Sequence, residues 1–150
     1  YGFSSGGYLA LAGAAKCLDR FCCAVSVCGP SNLITLIESI PPQWAPLRGM
    51  LERRIGHPVN DFDLLRSHSP LFAVDQIHVP LLLIHGGQDP RVKESESAQI
   101  VEAMRRRGLT CEYHVFADEG HGFARPENNL KFAAETEKFL GTYLGGHVED

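Results

Sequence analysis

The stretch Gly2-Phe3-Ser4-Ser5-Gly6 decides how the whole chain is interpreted. Its Gly-x-Ser-x-Gly spacing is typical of a sharp turn between a strand and a helix, which lifts a serine hydroxyl out of the fold. The serine of such a turn has a strained backbone, so side chains two residues to either side would collide with the turn, and glycine avoids this collision. The spacing is a weak signal when it stands alone, so its meaning depends on the residues around it.

The residues after this turn favour a helix. Residues 8–16 are rich in alanine and leucine, which are good helix formers, and Gly7 leaves room for that helix to pack closely on a strand. A buried strand should also precede Ser4, yet the chain begins only three residues before it. We therefore expect residues 1–150 to be the C-terminal portion of a longer domain.

The composition is that of a soluble globular domain. The 150 residues suit one domain, and hydrophobic and charged contents of 44% and 21% are ordinary. A net charge of −4 gives no reason to expect nucleic acid or an anionic membrane as a partner. No apolar run approaches the roughly 20 residues that cross a bilayer, and no signal peptide is visible.

The cysteine and histidine patterns predict no metal and no cofactor. The five cysteines are odd in number and include no Cys-x-x-Cys pair, so neither a zinc site nor a disulfide framework is indicated. The seven histidines show no spacing typical of a metal site. We expect buried free thiols, which weakly favour a cytoplasmic location. The cysteines are Cys17, Cys22, Cys23, Cys28 and Cys111.

Three runs, at residues 21–28, 79–86 and 112–116, are predicted as strands. The first two are continuously apolar, which is typical of strands buried on both faces of a parallel sheet. Helices are predicted over 95–107, where acidic residues begin the segment and basic residues end it, and from Pro126. Strands that alternate with helices indicate an α/β fold with a mostly parallel sheet flanked by helices.

Residues 31–70 interrupt this alternation. They contain a short amphipathic helix within 43–60 and a second helix at 61–66, which Asn60 or Asp61 would cap. We expect this excursion to cover one end of the sheet.

Two polar residues follow predicted strands. Asp89 lies in the loop after residues 79–86, and His121 lies in the loop after residues 112–116. The carboxyl ends of parallel strands meet at one edge of a sheet, so both side chains are expected there beside Ser4. A serine hydroxyl needs a base, usually a histidine oriented by a carboxylate, and the order Ser, acid, His is that of the α/β-hydrolase fold. The sequence thus predicts a catalytic triad.

Other interpretations compete with this one. An aspartate in a loop often does no more than cap that loop, and Asp118 and Glu119 are rival acids. Both are expected to be exposed, and both are too close in sequence to His121 to reach its far nitrogen easily. His85 ends a buried strand and is interpreted as a hydrogen-bonded structural residue.

Four segments together carry a more specific resemblance: residues 2–8, 28–33, 83–92 and 118–123. In combination they resemble the prolyl oligopeptidase family of serine peptidases, and within it the bacterial dipeptidyl-peptidase and acylaminoacyl-peptidase branch. The resemblance runs over nearly the whole chain. It implies the C-terminal half of an α/β-hydrolase catalytic domain, without its upstream strands and without the β-propeller that usually restricts access to short peptides.

The resemblance assigns roles by position. Ser4 would be the nucleophile, Asp89 the orienting acid and His121 the general base. Ser5 stands where the family usually has tyrosine; its backbone N–H can still donate to an oxyanion, but the contact from a tyrosine ring is lost. The side chain before the scissile bond would enter an apolar pocket lined by Pro30, Leu33 and Val92.

Three functions remain open. The first is a serine peptidase that cleaves short peptides through an acyl-enzyme. The second is a carboxylesterase or lipase, because the same triad attacks esters. The third is a catalytically silent α/β fragment or binding module, which would associate through an exposed sheet edge with another protein or as a homo-oligomer.

Overall fold

In the part of the chain that the structure describes, the central sheet has four strands, which are β1 (Gly2–Phe3), β2 (Ala24–Val27), β3 (Leu81–Gly86) and β4 (Cys111–Phe116). They lie in the order β1-β2-β3-β4, and every pair is parallel. The structure is a computed structural model and describes residues 1–17 and 19–148. The parallel order of the strands, with helices between them along the chain, confirms the predicted α/β class.

Within residues 1–17 and 19–148, six α-helices surround or extend the sheet. The predicted segments at 95–107 and from Pro126 are both helical, and the excursion contributes three helices of its own. Two 3-10 segments, Pro42–Trp44 and Pro70–Gln76, were not predicted. The helices are α1 (Ser5–Lys16), α2 (Leu33–Glu38), α3 (Ala45–Arg54), α4 (Phe62–His68), α5 (Ser95–Arg106) and α6 (Pro126–Leu144).

β2 is shorter than the predicted run at 21–28. It begins at Ala24, which pairs with Leu81, the first residue of β3. Phe21 and Cys22 come before this register and are exposed. The apolar run thus predicts a longer strand than the structure has, because a strand extends only as far as its neighbour can pair with it.

The core lies on both faces of β3, whose six residues are all buried. Because successive side chains of a strand point to opposite faces, Leu81 and Leu83 pack with α1 and α5, while Leu82 and Ile84 pack against Phe139 of α6. This two-sided burial explains why the sequence of the strand is continuously apolar.

The excursion at residues 31–70 has a small apolar cluster of its own, which was not predicted. α2 and α4 pack together there, with Leu33, Ile37 and Leu65 buried. Asn32 caps α2 by accepting a hydrogen bond from the Ile34 N–H. Asp61 lies at the N-terminus of α4, but its side chain does not cap the helix as predicted. The Asp61 carboxylate instead accepts a hydrogen bond from the backbone N–H of His57 at 2.7 Å.

The five cysteines are free thiols, but the expectation that they are buried is wrong for most of them. Cys28 is buried, whereas Cys17 and Cys22 are exposed because they lie at the end of α1 and in the turn before β2. Within the described residues, no helix combines the length and apolar character that a bilayer crossing requires.

Candidate active site

Ser4 sits in the turn between β1 and α1. Its backbone has φ 55° and ψ −118°, a left-handed conformation that is uncommon for residues other than glycine. The Ser4 N–H donates to the Val27 carbonyl at 2.8 Å, and the Ser4 carbonyl accepts from the Tyr8 N–H at 3.1 Å. The turn is therefore tied both to the neighbouring strand and to the helix, which fixes the direction of the hydroxyl.

The glycines around Ser4 are required to different degrees. A Cβ atom on Gly2 would overlap the backbone of Gly6, and one on Gly7 would lie 2.8 Å from the Gly29 Cα atom, where α1 crosses the end of β2. A Cβ atom on Gly6 would meet nothing within 4 Å. The predicted collision thus applies on the strand side of the turn and at Gly7, and it does not apply at Gly6.

One hydrogen-bonded chain joins Ser4, His121 and Asp89. The His121 Nε2 atom lies 2.9 Å from the Ser4 Oγ atom, and its Nδ1 atom lies 2.6 Å from the Asp89 Oδ2 atom. A carboxylate only accepts hydrogen bonds, so Nδ1 carries the proton and Nε2 accepts from the hydroxyl. The His121 side chain is about one-tenth exposed and that of Asp89 is fully buried. The structure thus brings together the three residues that the sequence singled out.

His121 is also packed from the side. Its ring lies 5.1 Å from the ring of Phe3, centroid to centroid, with an angle of 49° between the planes. Phe3 directly precedes Ser4, so the turn supplies both the hydroxyl and a contact that restricts the imidazole.

Hydrogen bonds keep the Asp89 carboxylate ionised. Burial by itself would raise the pKa of Asp89, but the hydrogen bonds that the carboxylate accepts outweigh this effect and hold its pKa well below the usual range. The donors are the side chains of His85 and His121 and the backbone N–H groups of Val92 and Arg91. The last two lie 2.9 and 2.8 Å from Oδ1, so Asp89 caps its own loop as well as binding His121.

His85 anchors this loop on β3, which agrees with its predicted structural role. Its side chain is completely buried. The Nε2 atom lies 2.9 Å from the Val92 carbonyl, which can only accept, and 3.5 Å from Asp89 Oδ2. The Nδ1 atom lies 2.7 Å from the Ser97 hydroxyl on α5. A neutral ring that donates from Nε2 and accepts at Nδ1 satisfies all these partners.

The rival acids do not reach His121, but the expectation that both are exposed is wrong. Asp118 is exposed and pairs with Arg125 at 2.9 Å. Glu119 is only 3% exposed, because its carboxylate accepts from the backbone N–H groups of Ala124 and Arg125 at 2.9 and 3.0 Å. These bonds, that of Ala124 first, hold the pKa of Glu119 below its usual value. Glu119 therefore shapes the loop that carries His121.

A cavity of about 390 Å³ opens beside Ser5, the first residue of α1. Pro30 and Leu33 line it, as the sequence predicted. The prediction for Val92 is wrong, because Val92 does not line the cavity and is buried in the apolar cluster formed with α2 and α4. The N–H groups of the first helical residues have no partner within the helix, so that of Ser5 points out of α1 at its N-terminal end. The cavity's other lining residues are Tyr8, Leu36, Arg54, Ile55, Leu64, Leu65 and His68.

One set of three side chains in the described residues could in principle bind a metal ion. Cys28, His85 and Asp89 are buried and place their ligand atoms within 4.8 Å of one another. Both ring nitrogens of His85 are already engaged, and Asp89 is held by four donors. These hydrogen bonds hold the loop that carries Asp89 against β3. Burial raises the pKa of the Cys28 thiol to about 11, so it stays neutral.

The comparison with known proteins agrees with the fold and the motifs. The prolyl oligopeptidase family matches residues 1–147. Dipeptidyl aminopeptidase BIII of Pseudoxanthomonas mexicana is 49% identical over 150 residues, which are 99% of this chain and 22% of that protein. Dipeptidyl peptidase family member 6 of Caenorhabditis elegans is 38% identical over 151 residues, or 99% of this chain and 20% of that protein.

Solved structures give the same result. The acylaminoacyl peptidase of Pyrococcus horikoshii superposes with a TM-score of 0.87 at 25% identity, over 99% of this chain and 24% of its own. A puromycin-hydrolysing peptidase of Mycobacterium tuberculosis superposes with a TM-score of 0.88 at 27% identity, over 97% of this chain and 22% of its own. The predicted α/β-hydrolase fold is confirmed. The chain spans about a fifth to a quarter of the length of these relatives.

Proposed function

The chain belongs to the prolyl oligopeptidase family, and from this premise we propose that the protein is a serine peptidase that hydrolyses short peptides through an acyl-enzyme. The observation that carries the proposal is the continuous hydrogen-bonded chain from Asp89 through His121 to the Ser4 hydroxyl, with links of 2.6 and 2.9 Å. Relatives named as dipeptidyl and acylaminoacyl peptidases support a peptide as the substrate.

In the first half of the reaction, the Ser4 Oγ atom attacks the carbonyl carbon of the scissile bond and its proton passes to His121 Nε2. Asp89 stabilises the imidazolium through the Nδ1–H hydrogen bond. The carbonyl oxygen becomes an oxyanion, which the N–H of Ser5 and the positive end of α1 stabilise. His121 then gives its proton to the amine of the leaving peptide, and the acyl group stays on Ser4.

In the second half, water attacks the acyl-enzyme. His121 Nε2 takes the proton of the water molecule, the tetrahedral intermediate forms again beside Ser5, and the proton returns to the Ser4 oxygen as the acid product leaves. The left-handed backbone of Ser4 supports this role, because the strain fixes the hydroxyl where both His121 and the N–H of Ser5 can act on one carbonyl group.

The test is labelling of the full-length protein with a fluorophosphonate probe, with Ser4→Ala as the matched variant and circular dichroism as the folding control. We expect labelling of the wild type only, and a loss of kcat on the order of 10⁶-fold in the variant. Turnover of matched amide and ester substrates distinguishes a peptidase from an esterase. Activity that survives Ser4→Ala refutes the assignment of the nucleophile, and hydrolysis of esters with no turnover of any aminoacyl amide refutes the peptidase.

A further inference from the structure

The cavity beside Ser5 is lined mainly by apolar side chains, and its polar lining residues are Ser5, Tyr8, His68 and Arg54. Its walls come from side chains such as Pro30, Leu33 and Ile55. Tyr8 also lines it, but the Tyr8 hydroxyl donates its proton to the His68 carbonyl at 2.9 Å. Arg54 is the only lysine or arginine among its lining residues, and no aspartate or glutamate of the described chain lines it. An anion in this cavity would meet a positive charge and no negative one.

Arg54 has no carboxylate partner among the described residues. The acid nearest to it along α3, Glu52, pairs with Arg48 at 2.9 Å, and none of the ion pairs formed by described residues includes Arg54. Arg53 and Arg54 both lie in the last turn of α3, where a cation favours the helix dipole. Only Arg54 lines the cavity, so the dipole explains why both residues are basic, but it does not explain the direction of Arg54.

The position of the cavity decides which part of a substrate enters it. Ser5 directly follows Ser4 and lines the cavity, and so do Pro30 and Leu33, which the family resemblance assigns to the pocket for the residue before the scissile bond. The side chain of that residue would therefore enter this cavity. A volume of about 390 Å³ is large enough for a long side chain that extends towards Arg54.

We propose that Arg54 selects substrates with glutamate before the scissile bond. The inference rests on the proposed peptidase function and adds its substrate class. The methylene groups of a glutamate side chain would contact the walls at Leu33 and Ile55, and its carboxylate would pair with the guanidinium group. Arginine suits this task because its planar fork binds a carboxylate through two parallel hydrogen bonds. The apolar pocket expected from the family resemblance thus gains a charged end.

The experiment measures kcat/KM of the full-length protein for dipeptidyl p-nitroanilides that differ only in the residue before the anilide: Ala-Glu, Ala-Gln and Ala-Leu, each with a free and with an acetylated amino terminus. Glutamate and glutamine have nearly the same shape, so their ratio isolates the charge. The variants are Arg54→Gln and, as the matched control on the same helix turn, Arg53→Gln.

We expect the wild type to prefer Ala-Glu to Ala-Gln by roughly tenfold, since a charge-assisted hydrogen bond contributes at least this much. Arg54→Gln abolishes the preference, whereas Arg53→Gln keeps both the preference and the wild-type rate for Ala-Leu, because Arg53 does not line the cavity. The preference also falls as salt is added, because Arg54 is partly solvated. Equal rates for Ala-Glu and Ala-Gln in the wild type, or a preference that survives Arg54→Gln, overturn the proposal.

The two proposals fail in different ways. If the Ala-Leu substrate is cleaved in a Ser4-dependent manner but the charge preference is missing, only the role of Arg54 is refuted. If no substrate is cleaved in either amino-terminal form and Ser4 does not react with the fluorophosphonate probe, the peptidase function itself is refuted.

Discussion

The carboxylate of Glu96 lies 2.8 Å from the backbone nitrogen of Asn32, and this hydrogen bond joins α5 to the segment that forms one wall of the cavity. The same carboxylate accepts from the Ser31 N–H at 3.0 Å and from the Thr35 hydroxyl. Glu96 is 1% exposed. This buried carboxylate accepts hydrogen bonds from the N–H groups of Ser31 and Asn32. It thereby fixes the position of Pro30 and Leu33, which flank these two residues.

We predict that Glu96→Ala destabilises the protein by about 1–3 kcal/mol, because it leaves buried N–H groups without partners. Urea unfolding measures this loss. Glu102→Gln is the control on the same helix, since Glu102 is exposed and pairs only with Arg106 at 3.2 Å. Equal stability of the Glu96 and Glu102 variants would contradict the role of Glu96.

The same carboxylate gives stability a pH dependence. Burial raises the pKa of Glu96 above 4.5, although its hydrogen bonds to Thr35, Asn32 and Ser31 oppose the shift. A raised pKa means that the folded protein binds the proton more tightly than the unfolded chain does, so the contribution of Glu96 falls as pH rises above about 4.5 and levels off above the folded-state pKa. Glu96→Gln should remove this slope from the free energy of unfolding.

The glycines around Ser4 make a matched comparison. Gly7→Ala places a Cβ atom 2.8 Å from Gly29 Cα and from Ser26 Oγ, so we expect a loss of roughly 1–3 kcal/mol from overpacking. Gly6→Ala meets nothing within 4 Å and should be neutral or stabilising by up to about 1 kcal/mol, because alanine favours a helix. Thermal unfolding of both variants checks the difference, and a stable Gly7→Ala protein would contradict the close approach of α1 to β2.

The sequence predicts the triad because its members depend on simple rules. Ser4, Asp89 and His121 each follow a strand, and parallel strands end at one edge of the sheet. The roles of Glu96 and Glu119 depend instead on where loops place backbone N–H groups, and no periodicity records that. Polarity favours exposure for Glu119, and the position of Glu96 near a helix start explains it only as a charge that suits the helix dipole. The same limit explains Val92, whose position depends on how the Asp89 loop turns back on β3.

Thiol reactivity should divide the cysteines by exposure. Cys17 and Cys22 are exposed, and Cys28 is completely buried with its pKa raised by burial to about 11. Because the thiolate is the reactive form, we expect an aromatic disulfide reagent to modify Cys17 and Cys22 rapidly at neutral pH and to reach Cys28 only in urea. Peptide mapping identifies the modified residues. Rapid modification of Cys28 in the folded protein would mean that the buried region around Cys28, His85 and Asp89 is open to solvent.

Asp89 should affect both catalysis and acid stability. In the proposed mechanism, Asp89→Asn removes the charge that would stabilise the imidazolium of His121, so we expect kcat to fall by about 10⁴-fold. The pKa of Asp89 is held well below its ordinary value near 3.8 by the hydrogen bonds that outweigh its burial. A lowered pKa contributes stability that is present above about 3.8 and is lost as pH falls through the folded-state value.

Acid unfolding therefore separates the two effects. The wild type should lose stability steeply below about pH 4, and Asp89→Asn should start from a lower stability and show a shallower loss. Asp75→Asn is the control, because Asp75 is exposed and should leave both the acid slope and kcat unchanged. If Asp89→Asn keeps the wild-type acid slope, the ionised carboxylate is not what holds the loop, and the alignment of His121 must then come from Phe3 and the Glu119 loop.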